Sequence, residues 1–307
     1  MRTRTNVPSR PAKPCAPAVV LLCDISYDGY MQHKTIIITG ASDGIGKEAA
    51  RLLSEQGASV VIVGRSPKKT RAVAEKYGLP FFIADFSRLN DVRELGKKLR
   101  GTYPRIDVLI NNAGGLFGER EVTVDGYEKT MQVNHLAHFL LTNILLDTLV
   151  ASKATVINTS SIAHKTFSKL DINDLNMEHS FTPNRAYGNA KLENILFTKE
   201  LHARYGAKGL SAAAFHPGIV TTSFASDTTS YLRYIYRIPV LSRLFRLLPA
   251  EQGADTMVWL ASSTPGKDWI SGEYYYKRKI SRSHDTANDA VIARQLWDKS
   301  EQMTGLA

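Results

Sequence analysis

Cysteine is almost absent from this chain of 307 residues, and the two it has, Cys15 and Cys23, both precede the first convincing strand. No disulfide can therefore staple the body of the protein, which fits a reducing compartment. Long apolar runs are missing too: the early run at residues 18–23 is far too short to span a bilayer. Acidic residues are in deficit, 29 against 39 Lys and Arg, for a formal charge of +10. The excess is local. Arg2, Arg4, Arg10, Lys13 and Lys34 crowd the first segment, Arg233, Arg237, Arg243 and Arg246 form a second cluster, and Lys277, Arg278, Lys279 and Arg282 a third. No zinc-finger spacing, RNP-like strand or heptad basic region accompanies them, so nucleic acid is not an expected partner. With 43% hydrophobic and 22% charged residues, the chain has the composition of a folded globular protein.

Residues 1–30 read as an extension, whose part from Arg2 to Pro17 is rich in Arg, Pro and Ser/Thr. Pro8, Pro11, Pro14 and Pro17 interrupt any amphipathic transit helix, although no acid precedes Asp24, and Met31 stands before the first strand like an ordinary start. A disordered tail on a cytoplasmic protein is expected, with mitochondrial or peripheral membrane association left open. From residue 31 to 307 there is no internal repeat and no linker, hence one domain. Strand-length apolar runs at 35–39, 59–63, 80–83, 107–110, 154–158 and 210–215 alternate with helical patterns at 45–56, 68–77, 87–100, 126–149 and 186–205. Ser87 is the expected N-cap of its helix. Uninterrupted apolar strands separated by helices predict a doubly wound α/β domain, a mainly parallel sheet covered on both faces.

The first strand ends in TGASDGIG (residues 39–46). Gly40 permits a tight turn, and Gly44 and Gly46 let a pyrophosphate and a neighbouring strand approach the backbone, so the unpaired N–H groups of the next helix face the ligand. Further along come NNAG (111–114), VNHLAHF (133–139), VINTSSIAH (156–164), YGNAK (187–191) and HPGIVTT (216–222). Taken singly these are weak, and chance alone places roughly one Tyr-x-x-x-Lys pair in a chain with 13 tyrosines.

As an ordered set, the segments resemble the short-chain dehydrogenase/reductase family, single-domain Rossmann enzymes that use NAD(H) or NADP(H). The long Ser161-to-Tyr187 interval, the segment LENILFTKELHARYG after the lysine and the ending LWDKSEQMTGL resemble its retinol-dehydrogenase-like and protochlorophyllide-reductase-like branch. The resemblance implies a catalytic set of Asn134, Ser161, Tyr187 and Lys191. It implies cofactor contacts from Gly40, Ser42, Asp43, Gly44, Ile45 and Gly46 in the turn; Arg65, Asp85 and Phe86 after the second and third strands; Asn112, Ala113 and Gly114 after the fourth; and Pro217, Gly218, Val220 and Thr222 beside the nicotinamide, together with Tyr187 and Lys191.

The chemistry accounts for the residue types. Reducing a carbonyl needs a hydride at carbon and a proton at the oxygen that becomes negative. A phenol is a poor acid at neutral pH unless a cation stabilises its ionised form, and a lysine four residues along a helix lies on the same face. Tyr187 is then the general acid in reduction and the base in oxidation. Lys191 supports it and holds the ribose, Ser161 bonds the substrate oxygen, and Asn134 holds a water that passes protons towards Lys191. Of the adjacent Ser160 and Ser161 only one can face the substrate, and the family's usual alignment selects Ser161.

Where NAD-preferring sheets carry an acid at the end of the second strand, this chain has Gly64 and Arg65, with Ser66, Lys68 and Lys69 following, which favours NADP(H) and leaves NAD(H) open. Asp43 argues the other way. Asp85 is expected at the adenine edge. His135 and His138 lack a third ligand, so no metal is expected. The stretch at about 223–250, aromatic and aliphatic residues interleaved with arginines around Pro239, is expected to form a flap over an apolar pocket, and it could also touch a membrane surface or form a homodimer contact. The expected substrate is a small lipophilic aldehyde or ketone, or its alcohol, with retinal-like or steroid-like carbonyls included. The competing reading is a non-catalytic NADP(H)-binding regulatory protein.

Overall fold

The computed structural model describes residues 31–220 and 248–306. Among the described residues eight strands form one sheet in the order β3-β2-β1-β4-β5-β6-β7-β8. The strands are β1 (Thr35–Thr39), β2 (Ser59–Gly64), β3 (Phe81–Ile83), β4 (Val108–Asn111), β5 (Thr155–Thr159), β6 (Ser211–His216), β7 (Tyr274–Tyr276) and β8 (Lys279–Ile280). Every pairing is parallel except the last, where β8 turns back on β7. Because chain order reverses between β1 and β4, a crevice opens at the carboxyl ends of those strands, the usual ligand position in an open α/β sheet.

The period of two along β1 divides the core. Ile36 and Ile38 point to one face with Val60, Ile62, Val108 and Ile110, against α1 (Gly44–Glu55) and α9 (Ala250–Ser262). Ile37 points to the other with Val61, Val63 and Leu109, against α3 (Leu89–Thr102) and α5 (Ala137–Ile144). Continuous apolar strands are thus required by burial on both faces. The remaining helices are α2 (Pro67–Tyr77), α4 (Lys129–Met131), α6 (Leu146–Ala151), α7 (Ala163–Thr166), α8 (Pro183–Tyr205) and α10 (Ala290–Thr304). Helix α8 is buried on nearly all sides beyond its first turn, and α10 lies against it through Leu296 and Ala293.

Three local expectations are corrected. Ser87 does not cap α3: its hydroxyl donates to Asp85, while the helix starts at Leu89, whose N–H bonds Asp125. The helical stretch expected over 126–149 is interrupted by a π turn at Gln132–Leu136, which carries Asn134 and His135. Ala250 begins α9, so the expected flap ends before it; the rest of that flap and Thr222 lie outside the described residues. Of the three basic clusters, the third sits on the β7–β8 hairpin, where Arg278 pairs with Asp255 and Arg282 with Asp285. Among the described residues no helix is long and apolar enough to cross a membrane.

Candidate active site

The turn after β1 is shaped by contact with the end of β4. Gly40 has φ +66°, and a Cβ there would lie 2.6 Å from the Cα of Ala113, so only glycine fits. The Asn112 amide donates to the carbonyls of Thr39 and Gly40 at 3.0 and 3.3 Å. The Thr39 hydroxyl accepts from the N–H groups of Asn112 and Ala113 at 2.9 and 3.0 Å. The glycine turn and the NNAG segment are therefore one braced unit. Asp43 caps α1 through the Gly44 N–H at 2.8 Å, and its other oxygen pairs with Lys69 at 3.4 Å.

One cavity of about 760 Å³ runs from this turn across the carboxyl edge of the sheet. It is lined by Gly40, Ser42, Asp43, Gly44, Ile45 and Gly46, by Arg65, Asp85 and Phe86, by Asn112, Ala113 and Gly114, and by Ser161, Tyr187, Lys191, Pro217, Gly218 and Val220. At the end of β2 a side chain on Gly64 would meet Thr70 Oγ1 at 2.2 Å, which closes that position to an acid; Arg65, Ser66 and Lys69 line the cavity beside it. Lys68 does not line it. Asp85 accepts from the Ser87 N–H and hydroxyl at 3.0 and 2.8 Å, which fixes its carboxylate at the cavity wall.

Tyr187 and Lys191 lie one turn apart on α8, with Lys191 Nζ 5.4 Å from the centre of the phenol ring. Lys191 donates to the Thr159 carbonyl at 3.1 Å, and burial pushes its ammonium down to about 7. The two serines separate as alternation requires. Ser160 Oγ is spent on the Lys191 carbonyl at 2.8 Å, whereas Ser161 Oγ accepts from the Ala163 N–H at 3.2 Å and keeps its proton for another acceptor.

The side chain of Asn134 is held within the fold. Both its amide hydrogens are spent, on Gly115 O at 3.0 Å and Thr130 O at 2.8 Å, and its oxygen accepts from the Gly115 N–H. It braces the turn after β4. Sequence reasoning missed Asn194, 3% exposed, whose amide donates at 3.1 Å both to Asn134 O and to Thr159 O, the carbonyl that also takes Lys191. It also missed Thr39. Both stand within the segments TGASDGIG and LENILFTKELHARYG, but they act through partners distant in sequence that no local pattern supplies.

His135 and His138 are buried braces. His138 Nδ1 donates to Asn134 O, leaving Nε2 facing the Thr39 hydroxyl at 3.1 Å; His135 bridges Asn194 and Ser300. Desolvation lowers His135 to about 4 and His138 to about 3, so both rings are neutral. Among the described residues no three His, Cys, Asp or Glu side chains converge as a metal site.

Comparison with known proteins gives the family. The family described as short chain dehydrogenase matches residues 34–232. A Streptomyces sp. (strain C5) protein provisionally named daunorubicin C-13 ketoreductase is 40% identical, over 90% of this chain and 94% of its own. Human retinol dehydrogenase 13 is 35% identical, over 95% of this chain and 92% of its own. The crystal structure of an uncharacterised Mycobacterium paratuberculosis protein superposes with a TM-score of 0.72 at 32% identity, covering 90% of this chain and 94% of that one. A phenol and an ammonium one turn apart beside a glycine-lined crevice, on a chain so matched along its length, admit one conclusion: it belongs to the short-chain dehydrogenase/reductase family of oxidoreductases, in the branch that resembles the retinol dehydrogenases.

Proposed function

We propose that the protein interconverts a lipophilic aldehyde or ketone and its alcohol with NADP(H) as the preferred cofactor. The observation that carries this is that Ser161, Tyr187 and Lys191 line the same cavity as the glycine turn. The residues present fit a dinucleotide. The start of α1 and the glycines give an anion-accepting floor, and Arg65, Ser66 and Lys69 give a charged and hydroxylated rim where a ribose 2′-phosphate belongs. The closed Gly64 position removes the acid that would repel such a phosphate, and Lys69 pairs with Asp43, a carboxylate that would oppose it. When bound, the nicotinamide supplies or accepts the hydride.

The chain's own residues do the rest. Ser161 Oγ donates to the carbonyl oxygen and fixes it. Tyr187 gives its phenolic proton to that oxygen as negative charge develops, and takes it back in the oxidative direction. Lys191, held by Thr159 O, favours the ionised phenol electrostatically and would hold the ribose hydroxyls. Leu116, Phe117, Val133, Ile162, Phe167 and Ile219 also line the cavity, so an apolar body is accommodated beside the reacting oxygen. The names of the relatives, retinol dehydrogenase and daunorubicin ketoreductase, support a lipophilic substrate.

The test is turnover by the purified protein with NADPH or NADH and a panel of aromatic and long-chain aldehydes and ketones, followed by absorbance of the reduced nicotinamide. Tyr187→Phe is expected to lower kcat by about a hundred-fold to ten-thousand-fold while still binding NADPH. Absence of NADPH consumption by the wild type across the panel would overturn the catalytic assignment in favour of a cofactor-binding regulator.

A further inference from the structure

His216, the last residue of β6, is 6% exposed and lines the cavity that holds Ser161, Tyr187 and Pro217. Its orientation is fixed twice. In the β6–β7 register it faces Tyr276, and the two rings stack with centroids 4.8 Å apart and planes at 23°. Its Nδ1 accepts from the Gly218 N–H at 3.2 Å. A neutral imidazole that accepts at one nitrogen carries its proton on the other. Burial lowers this histidine to about 4, so the neutral form with Nε2–H is the one present at neutral pH. Nε2 has no hydrogen-bond partner among the described residues, yet it is not one of the sealed, unsatisfied polar atoms of the core. It is therefore an uncharged donor open at the wall of the cavity.

The neighbouring His164 shows the contrast. Its Nδ1 donates to the Ser161 carbonyl, its Nε2 is sealed in the core as an unpaired acceptor, and it does not line the cavity. It acts on the serine's backbone and offers a ligand nothing. A donor that is nine-tenths buried and held by a stack and a backbone bond is costly to leave unpaired, so a ligand that supplies an acceptor gains what one without it loses.

We infer that His216 Nε2–H is a specificity-determining donor that receives an uncharged acceptor oxygen, distinct from the reacting carbonyl oxygen held by Ser161 and Tyr187. Two ligands could bring that oxygen: a substrate with a second oxygen near its carbonyl, such as a diketone, or the carboxamide of the nicotinamide. The inference rests on the proposed carbonyl chemistry for the first source only.

The experiment measures two ratios in the wild type, His216→Phe and His216→Gln. Phe keeps the ring stack and lacks the donor; Gln places an N–H near the original Nε2 position. The first ratio is kcat/KM for an aromatic α-diketone over the ketone of the same skeleton with one oxygen fewer. The second is the affinity for NADPH over its thionicotinamide analogue, in which sulfur replaces the carboxamide oxygen, read by fluorescence titration without turnover. The expected result is a fall of about ten-fold or more in one ratio for His216→Phe, with recovery in His216→Gln. Which ratio falls identifies the source. Should Phe fail to fold, His216→Asn, whose N–H is placed near Nδ1, takes its place against Gln. If neither ratio moves, or if Gln behaves as Phe does, the inference is overturned. Because the second ratio needs no catalysis, a protein without turnover would sink the proposed function and still test this donor through the cofactor.

Discussion

Glu193 sits two residues beyond Lys191 on α8, 1% exposed, with one carboxyl oxygen lacking any hydrogen-bond partner. Desolvation raises its carboxyl to about 8, with a smaller contribution from Glu128, itself fully buried and occupied by the N–H groups of Thr130 and Met131 at 2.8 Å. Between 4.5 and about 8 the folded protein keeps a proton that the unfolded chain has lost, so stability falls as pH rises through that window and the penalty is absent below it. At about 1.36 kcal/mol per pH unit the upper limit is about 3 kcal/mol at pH 7 and about 5 kcal/mol above pH 8, less whatever relaxation and water entry recover. Lys191 has the opposite slope: lowered to about 7, it is unprotonated when folded and protonated when unfolded from there to 10.5, so its contribution to stability rises with pH. Subtracting the wild type from a Glu193 variant cancels that term. The assay is urea unfolding of wild type, Glu193→Met and Glu193→Gln at acid, neutral and mildly alkaline pH. Gln adds two N–H donors without assured partners, at a pH-independent cost of roughly 1–3 kcal/mol, and Met removes the polar group altogether. Both differences should grow in favour of the variant by about 3 kcal/mol or more from pH 5 to pH 9. A difference that stays flat over that range would show that this carboxyl does not titrate there and would refute the reasoning.

Arg65→Ala is expected to weaken NADPH binding by about ten-fold to a hundred-fold and NADH binding much less, the loss of a charge-assisted pair to the 2′-phosphate; equal losses in fluorescence titrations would remove Arg65 from cofactor choice. Asn194→Leu leaves the carbonyls of Asn134 and Thr159 each one donor short inside the core. It should cost about 1–3 kcal/mol in urea unfolding and move the limb of the pH–rate profile that belongs to Lys191, whereas a merely structural part would lower stability and leave the profile in place. Acid should destabilise the protein steeply, because His135, His138, His164 and His216 are held neutral at about 4, 3, 4 and 4 by burial while unfolded imidazoles protonate near 6.5. Each group withdraws at most about 1.4 kcal/mol per pH unit as pH falls from 6.5 to its folded value. Urea midpoints that stay constant from pH 6.5 to pH 4.5 would contradict the burial of these rings.

What was legible beforehand follows from range along the chain. The Ile-rich and Val-rich strands announce themselves because burial on both faces requires unbroken apolar runs. The Tyr187–Lys191 pair is legible because a spacing of four places two side chains on one helical face. The short strands Tyr274–Tyr276 and Lys279–Ile280 carry no such run: they close one end of the sheet, and only the pairing of β7 with β6 and of β8 with β7 makes them strands. The Ser87 cap failed for a related reason, since Asp85 and Asp125, one adjacent and one distant, competed for the donors that a local rule assigns to the serine. The π turn is invisible to a periodicity of 3.6, yet it sets the carbonyl of Asn134 where His138 and Asn194 both reach it. From there hydrogen bonds run to Thr39 in one direction and to Thr159 and Lys191 in the other, joining residues up to 99 positions apart. Chemistry-bearing residues are therefore readable where helix geometry alone sets their distance. The residues that hold them in place are not: Thr39, Asn194 and His216 stand inside motif segments, yet the partners that give them their roles, His138, Thr159 and Tyr276, are brought to them only by the closing of the sheet.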